Sequence, residues 1–280
     1  MDRTTTCTLI AAWFMLTGCS TDRPGRIVVG AKNFTEQALL GEIIAQQIER
    51  SLGVTVERQL TLGGTLLAHE ALRAGNIDLY PEYTGTALTA ILQQPVQKDA
   101  AAVLGRVRSG YAQWGLQWME PLGFNNTFAM VVRAEDAEKD QLRTMSDAAK
   151  RTRPWQLGVG FEFVGRPDGL RGLVAAYDLR LQGSPATMDL GLLYPALEAR
   201  RIEMGAANAT DGALAGTAFR VLEDDRGYFP PYQCAIVVRH QALERHPGLQ
   251  KALAALHNKI DDSTMRKLNS AVDREHRRAA

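Results

Sequence analysis

Lys32 falls between the end of a short apolar run, Ile27-Val28-Val29-Gly30, and a helix start, Asn33-Phe34-Thr35-Glu36. Free backbone N–H groups at such a junction favour an anion, so Lys32 is either an anion contact or a solvated loop lysine. Arg166 stands close to Glu162 and Asp168, which makes it either a ligand contact or half of a surface ion pair. Tyr232 follows Pro230-Pro231, and the two fixed φ angles stiffen the segment that presents its ring. Bond-making chemistry has less support. There is no G-x-x-x-x-G-K-[ST], and Gly158-x-Gly160 meets its next glycine only at Gly165, too late for a dinucleotide fingerprint. His69, His240, His246, His257 and His276 form neither H-E-x-x-H nor a His/Cys cluster, and no G-x-S-x-G elbow occurs. Asp224-Asp225 reads as a solvated turn. Phosphate cradling, metal catalysis and a Ser-His-Asp triad have no foothold, so neither an enzyme nor a resident cofactor is expected.

The elements that must carry these residues alternate. Arg26 to Gly30 is a strand, followed by an amphipathic helix capped by Asn33, with Glu36 three residues on and Gly53 as its stop. Val54 to Glu57 is a second strand, Thr65 to Ala74 a helix ended by Gly75, and Ile77 to Leu79 a third strand. Beyond Pro121, strands are expected at Phe128 to Arg133, Gln156 to Gly160, Leu179 to Gln182 and Ile202 to Ala206, with helices at Gly169 to Tyr177 and Leu190 to Ala199. The strand Cys234 to Arg239 and helices from Gln241 onward close the chain. This rhythm indicates an α/β fold on mostly parallel sheets. Turn formers at Gly123 to Thr127 and Pro230 to Cys234, each before a β-rich run, mark two crossings between two lobes. The lobes are then residues 27–122 with 235–280, and residues 123–234.

The N-terminus sets the compartment. An apolar run from Cys7 to Leu16 ends in Leu16-Thr17-Gly18-Cys19, which reads as an export signal (residues 1–19) with lipidation at Cys19. Residues 20–26 follow as a tether. The mature chain is thus expected outside the cytoplasm on a lipid anchor, with no access to cytosolic ATP. Of three cysteines, only Cys234 then remains in the fold, as a buried strand thiol. A net charge of +1, from 32 basic and 31 acidic residues, gives no footprint for nucleic acid.

Seven segments stand out along the chain: Val29 to Gln37, Gly63-Gly64-Thr65, Leu79 to Thr86, Phe124 to Thr127, Arg166 to Gly169, Ala209 to Gly212 and Phe229 to Tyr232. Together they resemble the substrate-binding proteins of ABC importers for glycine betaine, choline, carnitine and related osmoprotectants, from about Ile27 to about Leu249. The resemblance implies a two-lobed, periplasmic-binding-protein-like (type II) fold with the ligand cleft between lobes. It also implies a monomer that delivers a small molecule to a membrane permease and, through it, to an ATPase subunit.

The ligands of that family carry a quaternary ammonium, which donates no hydrogen bond and rests on aromatic faces, each contributing roughly 0.5 to 2 kcal/mol. By resemblance, Tyr83, Phe128, Asn208 and Tyr232 occupy the ammonium-cage positions, and Lys32, Thr86 and Arg166 the positions for a ligand carboxylate. The family cage is made of tyrosines; Phe128 keeps a face and loses the hydroxyl, and Asn208 removes a ring. One lost face weakens quaternary ammonium binding by about 1 kcal/mol, around fivefold to tenfold. The amide at Asn208 opens the alternative of a hydroxylated, less methylated or amino-acid-like ligand. A sensory or scaffold lipoprotein with a degenerate pocket is the further alternative.

Overall fold

The computed structural model describes residues 25–278. The export signal, Cys19 and the first part of the tether lie outside the described residues. Ten strands follow in chain order: β1 (Ile27–Gly30), β2 (Val56–Gln59), β3 (Leu79–Tyr83), β4 (Leu116–Trp118), β5 (Phe128–Arg133), β6 (Leu157–Val159), β7 (Ala186–Thr187), β8 (Met204–Asn208), β9 (Phe219–Leu222) and β10 (Cys234–Arg239). They form two five-stranded sheets, β2-β1-β3-β10-β4 and β7-β6-β8-β5-β9.

Four strands of each sheet run one way and one runs against them. The opposed strands are β10, antiparallel to β3 and β4, and β5, antiparallel to β8 and β9. Both follow directly on a segment that passes between the sheets. Cys234 at the start of β10 lies opposite Tyr83 at the end of β3, and Phe128 at the start of β5 lies opposite Asn208 at the end of β8. A chain that enters a sheet at the edge facing the other sheet has to run away from that edge. The carboxyl ends of the other strands meet there, the usual site of ligand crevices in open α/β sheets.

The two crossing segments pair with each other. Asn125 and Gln233 form an antiparallel bridge, the Asn126 amide donates to the Tyr232 carbonyl at 3.1 Å, and the Tyr232 amide donates to Asn125 Oδ1 at 2.6 Å.

Strand β10 explains its own apolar run. Cys234, Ile236 and Val238 join the core under the helix Thr35–Leu52, while Ala235 and Val237 face a second core with Leu72, Val103, Val107 and Tyr111. Burial on both faces requires apolar residues at every position rather than alternation. The Cys234 thiol is fully buried, and burial pushes its pKa up, as expected for an inert strand thiol.

Several boundaries differ from expectation. Helix Thr35–Leu52 is entered from Phe34 with no side-chain cap, so Asn33 does not cap it; Gly53 does end it, at φ 66°. Strand β2 starts two residues later than expected and β3 extends to Tyr83, because their ends are fixed by pairing with β1 and β10. Leu179 to Gln182 forms a single bridge, Trp155 with Leu181, in place of a strand. The segment from Leu190 splits into a 3-10 turn and the helix Leu193–Glu198, with Pro195 in the first turn, where no N–H is needed. Among the described residues no helix is long and apolar enough to cross a membrane.

Candidate functional site

A cavity of about 550 Å³ lies between the facing edges of the two sheets. Lys32, Tyr83, Thr86, Phe128, Arg166, Asn208 and Tyr232 all line it, although they are spread over 200 residues of chain. Lys32 and Tyr83 come from the ends of β1 and β3, Phe128 and Asn208 from the paired ends of β5 and β8, and Tyr232 from the second crossing. Gly85 allows that placement. A Cβ there would meet the Tyr232 ring and the Pro231 carbonyl at 2.8 Å.

Neither basic residue is a solvated loop side chain. Lys32 is 4 % exposed; its ammonium donates to Glu82 Oε1 at 2.6 Å and Thr65 Oγ1 at 3.3 Å. Arg166 pairs with Asp168 through two parallel bonds, Nε to Oδ1 at 2.9 Å and a terminal nitrogen to Oδ2 at 2.7 Å. The expected surface ion pair is therefore a buried one, with Asp168 at 0 % exposure. Arg166 also donates to Thr86 Oγ1 at 3.4 Å, Thr89 Oγ1 at 3.2 Å and the Tyr232 hydroxyl at 3.4 Å, and the Tyr232 hydroxyl donates to Asp168. Burial pushes the Tyr232 hydroxyl well above its ordinary pKa, so it stays a donor.

The aromatic faces meet cations of the chain itself. Lys32 lies 5.0 Å from the Tyr83 ring centre, and the Arg166 guanidinium lies 5.3 Å from Phe128 and 5.8 Å from Tyr232. Phe128 packs edge-on against Phe163 at 4.8 Å and Tyr232 at 5.5 Å. Asn208 presents no ring, as the sequence requires, and its backbone N–H donates to Asp211 Oδ2 at 3.1 Å.

Glu36 has a different place from the helix-cap position read in the sequence. Its carboxylate is buried and accepts from Tyr83 Oη at 2.7 Å, Asn126 Nδ2 at 2.8 Å, Asn269 Nδ2 at 2.9 Å and the Thr210 hydroxyl. Burial pushes its pKa up, and these four hydrogen bonds pull against that rise. Glu162 carries another contact across the cleft. It accepts from the Thr65 backbone N–H at 3.0 Å, at the N-terminus of the helix Thr65–Arg73. Asp168 lies within local reach of Arg166 in the sequence, whereas no local pattern marks Glu82 as the partner of Lys32 or Glu162 as the partner of Thr65.

Residues 25–280 match the family model described as the substrate-binding domain of an ABC-type glycine betaine transport system. The chain belongs to that family. It is 37% identical to a glycine-betaine-binding protein of Pseudomonas aeruginosa, over 88% of this chain and 82% of that one. It is 35% identical to an ergothioneine transport permease/ergothioneine binding protein of Helicobacter pylori, over 94% of this chain; it spans only 47% of that longer protein. A crystal structure of a glycine betaine/carnitine/choline ABC transporter protein superposes with a TM-score of 0.77 at 28% identity, covering 90% of this chain and 94% of the other. This member of the glycine betaine family is thus a substrate-binding component of an ABC-type transporter, and its relatives are binding proteins rather than enzymes.

Proposed function

We propose that this family member captures a small quaternary ammonium compound in the cavity between residues 27–122 with 235–280 and residues 123–234. The observation that carries this reading is the convergence of Tyr83, Phe128 and Tyr232 on one cavity with Lys32, Thr86 and Arg166. The rings supply π faces for the ammonium, each contributing roughly 0.5 to 2 kcal/mol. The hydroxyl and basic side chains are suited to a ligand carboxylate, which would share Lys32 with Glu82 and Arg166 with Asp168. Closure of the two lobes is the proposed mechanism. Contacts from Arg166 to Thr86 and from Glu162 to Thr65 exist only when the lobes meet, and a ligand touching both lobes adds to them.

In this reading an importer permease recognises the closed surface, and the ATPase subunit behind that permease supplies the energy. The protein acts outside the cytoplasm as a monomer, held to the membrane by lipid on Cys19. Asn208 and the size of the cavity favour a second reading for the ligand, a bulkier or more polar quaternary ammonium such as the ergothioneine named for the Helicobacter relative.

Titration calorimetry on the full chain in mild detergent tests both readings, using glycine betaine, choline, carnitine, proline betaine, ectoine and ergothioneine, with amino acids as controls. Saturable binding of a methylated ammonium and none of the amino acids is expected. Silence from every methylated ammonium would overturn the proposed ligand class.

A further inference from the structure

A second compartment of about 490 Å³ adjoins the cleft and shares Phe34, Thr35, Asn126, Leu190, Gly191 and Asn208 with it. Asn208 belongs to both walls at the position where the family resemblance calls for a tyrosine ring. A short amide takes up less of that shared wall than a phenol ring would.

The compartment differs from the cleft in its chemistry. Glu36 and Asp211 form its inner wall, exposed Glu198 and Asp273 its rim, and Arg274 is the basic side chain set against these four carboxylates. Asn269, 3 % exposed, adds an independent sign that the wall is built to receive a donor. Its Nδ2 donates to Glu36 Oε2 and to the Thr210 carbonyl, both at 2.9 Å, and two obligatory acceptors fix the orientation of the amide. Its Oδ1 then has no hydrogen-bond partner, which is costly for a buried acceptor unless a donor reaches it. Among the described residues no group of three or more His, Cys, Asp or Glu side chains is arranged to hold a metal ion.

We propose, on the quaternary ammonium reading above, that this compartment is a second ligand subsite, taking an N–H-donating arm, an amine foremost, from a molecule whose trimethylammonium group occupies the main cavity. The arm passes beside Asn208 and meets acceptors on Asp211 and Asn269. Burial lifts the Asp211 carboxyl to about 6, which still leaves it mostly ionised at pH 7.5. The Tyr194 hydroxyl and the Asn208 backbone N–H hold Asp211 Oδ2 at 3.0 and 3.1 Å, so the carboxylate is already positioned.

The test compares two probes of equal length, (4-aminobutyl)trimethylammonium and pentyltrimethylammonium, by calorimetry at pH 7.5 on the full chain in mild detergent, with choline alongside. The aminated probe is expected to bind about tenfold tighter than its hydrocarbon analogue, as a charge-assisted hydrogen bond would provide. Asp211→Asn should bring the ratio of the two dissociation constants to within about twofold of unity, because one charge on the acceptor is lost. Asn208→Tyr should weaken both armed probes relative to choline. Equal affinity of the two probes for the wild-type chain, with choline still bound, overturns the subsite and leaves the quaternary ammonium reading standing. Failure of all three compounds to bind overturns both.

Discussion

Arg166 and Glu36 are both buried, both charged and both tie the two sheets together, yet they are stabilised in opposite ways. Arg166 is met by an opposite charge, Asp168, and then by hydroxyls of Thr86, Thr89 and Tyr232. Glu36 is met by four neutral donors from Tyr83, Asn126, Thr210 and Asn269. An ion pair cancels the field of a buried charge, whereas dipoles only solvate it. The difference leaves the charge of Arg166 cancelled in place, whereas a charge on Glu36 is opposed by its own burial, which pushes its pKa up.

The comparison can be broken most severely at Arg166. Arg166→Ala leaves Asp168 buried without its cation and should cost about 3 to 5 kcal/mol in urea unfolding. Adding Asp168→Ala should restore part of that loss. An Arg166→Ala protein as stable as the parent would show that the pair is not a structural centre. In the folded variant, binding of carboxylate-bearing ligands should fall much further than binding of choline.

Asp211 sharpens the contrast through pH. Its carboxyl is lifted by burial from 3.8 to about 6. The folded chain therefore holds this proton more tightly than the unfolded chain between those values. Stability from this group is fully present below about pH 3.8 and is lost as pH rises through about 6, by roughly 2 to 3 kcal/mol. Asp211→Asn should abolish that slope, so that the difference between parent and variant in thermal melts across pH 4 to 7 carries it. An unchanged slope would place the charge elsewhere.

Glu36→Gln replaces an acceptor-only group by one that also donates, so one or two of its four partners lose their acceptor. A cost of about 1 to 3 kcal/mol at pH 7 is expected. Because the Glu36 pKa is raised, the parent gains stability from protonation as pH falls from 7 toward its unfolded value, and the variant lacks that gain. Denaturant midpoints at pH 7 and pH 5 measure both parts. The smallest effect is expected at Asn208. Asn208→Tyr adds one π face and should tighten choline binding by about 1 kcal/mol, fivefold to tenfold in dissociation constant. Weaker binding of every ligand would contradict the placement of residue 208 beside the ammonium.

The sequence alone marked seven of the ten described strands, the long first helix and the two crossings, because each is encoded by neighbours, whereas the short strands β4, β7 and β9 were not legible in it. β-branched runs, the left-handed glycine at Gly53 and the turn formers around Gly123 and Pro230 act over a few residues. The family resemblance, rather than any local rule, marked Lys32, Tyr83, Thr86, Phe128, Arg166, Asn208 and Tyr232, all of which line the cavity. Glu36 shows where local reading fails. In sequence it mimics a capping residue, but its four partners lie 47, 90, 174 and 233 residues away. The same holds for Arg166, whose surface pairing with Asp168 was a fair local reading until contacts 66, 77 and 80 residues distant buried it. Which charges are cancelled, which are left in the wall, and which two cavities Asn208 lines follow from where the sheets meet. Only the tertiary structure decided that, because desolvation and hydrogen bonding act on distance in space and not on distance along the chain.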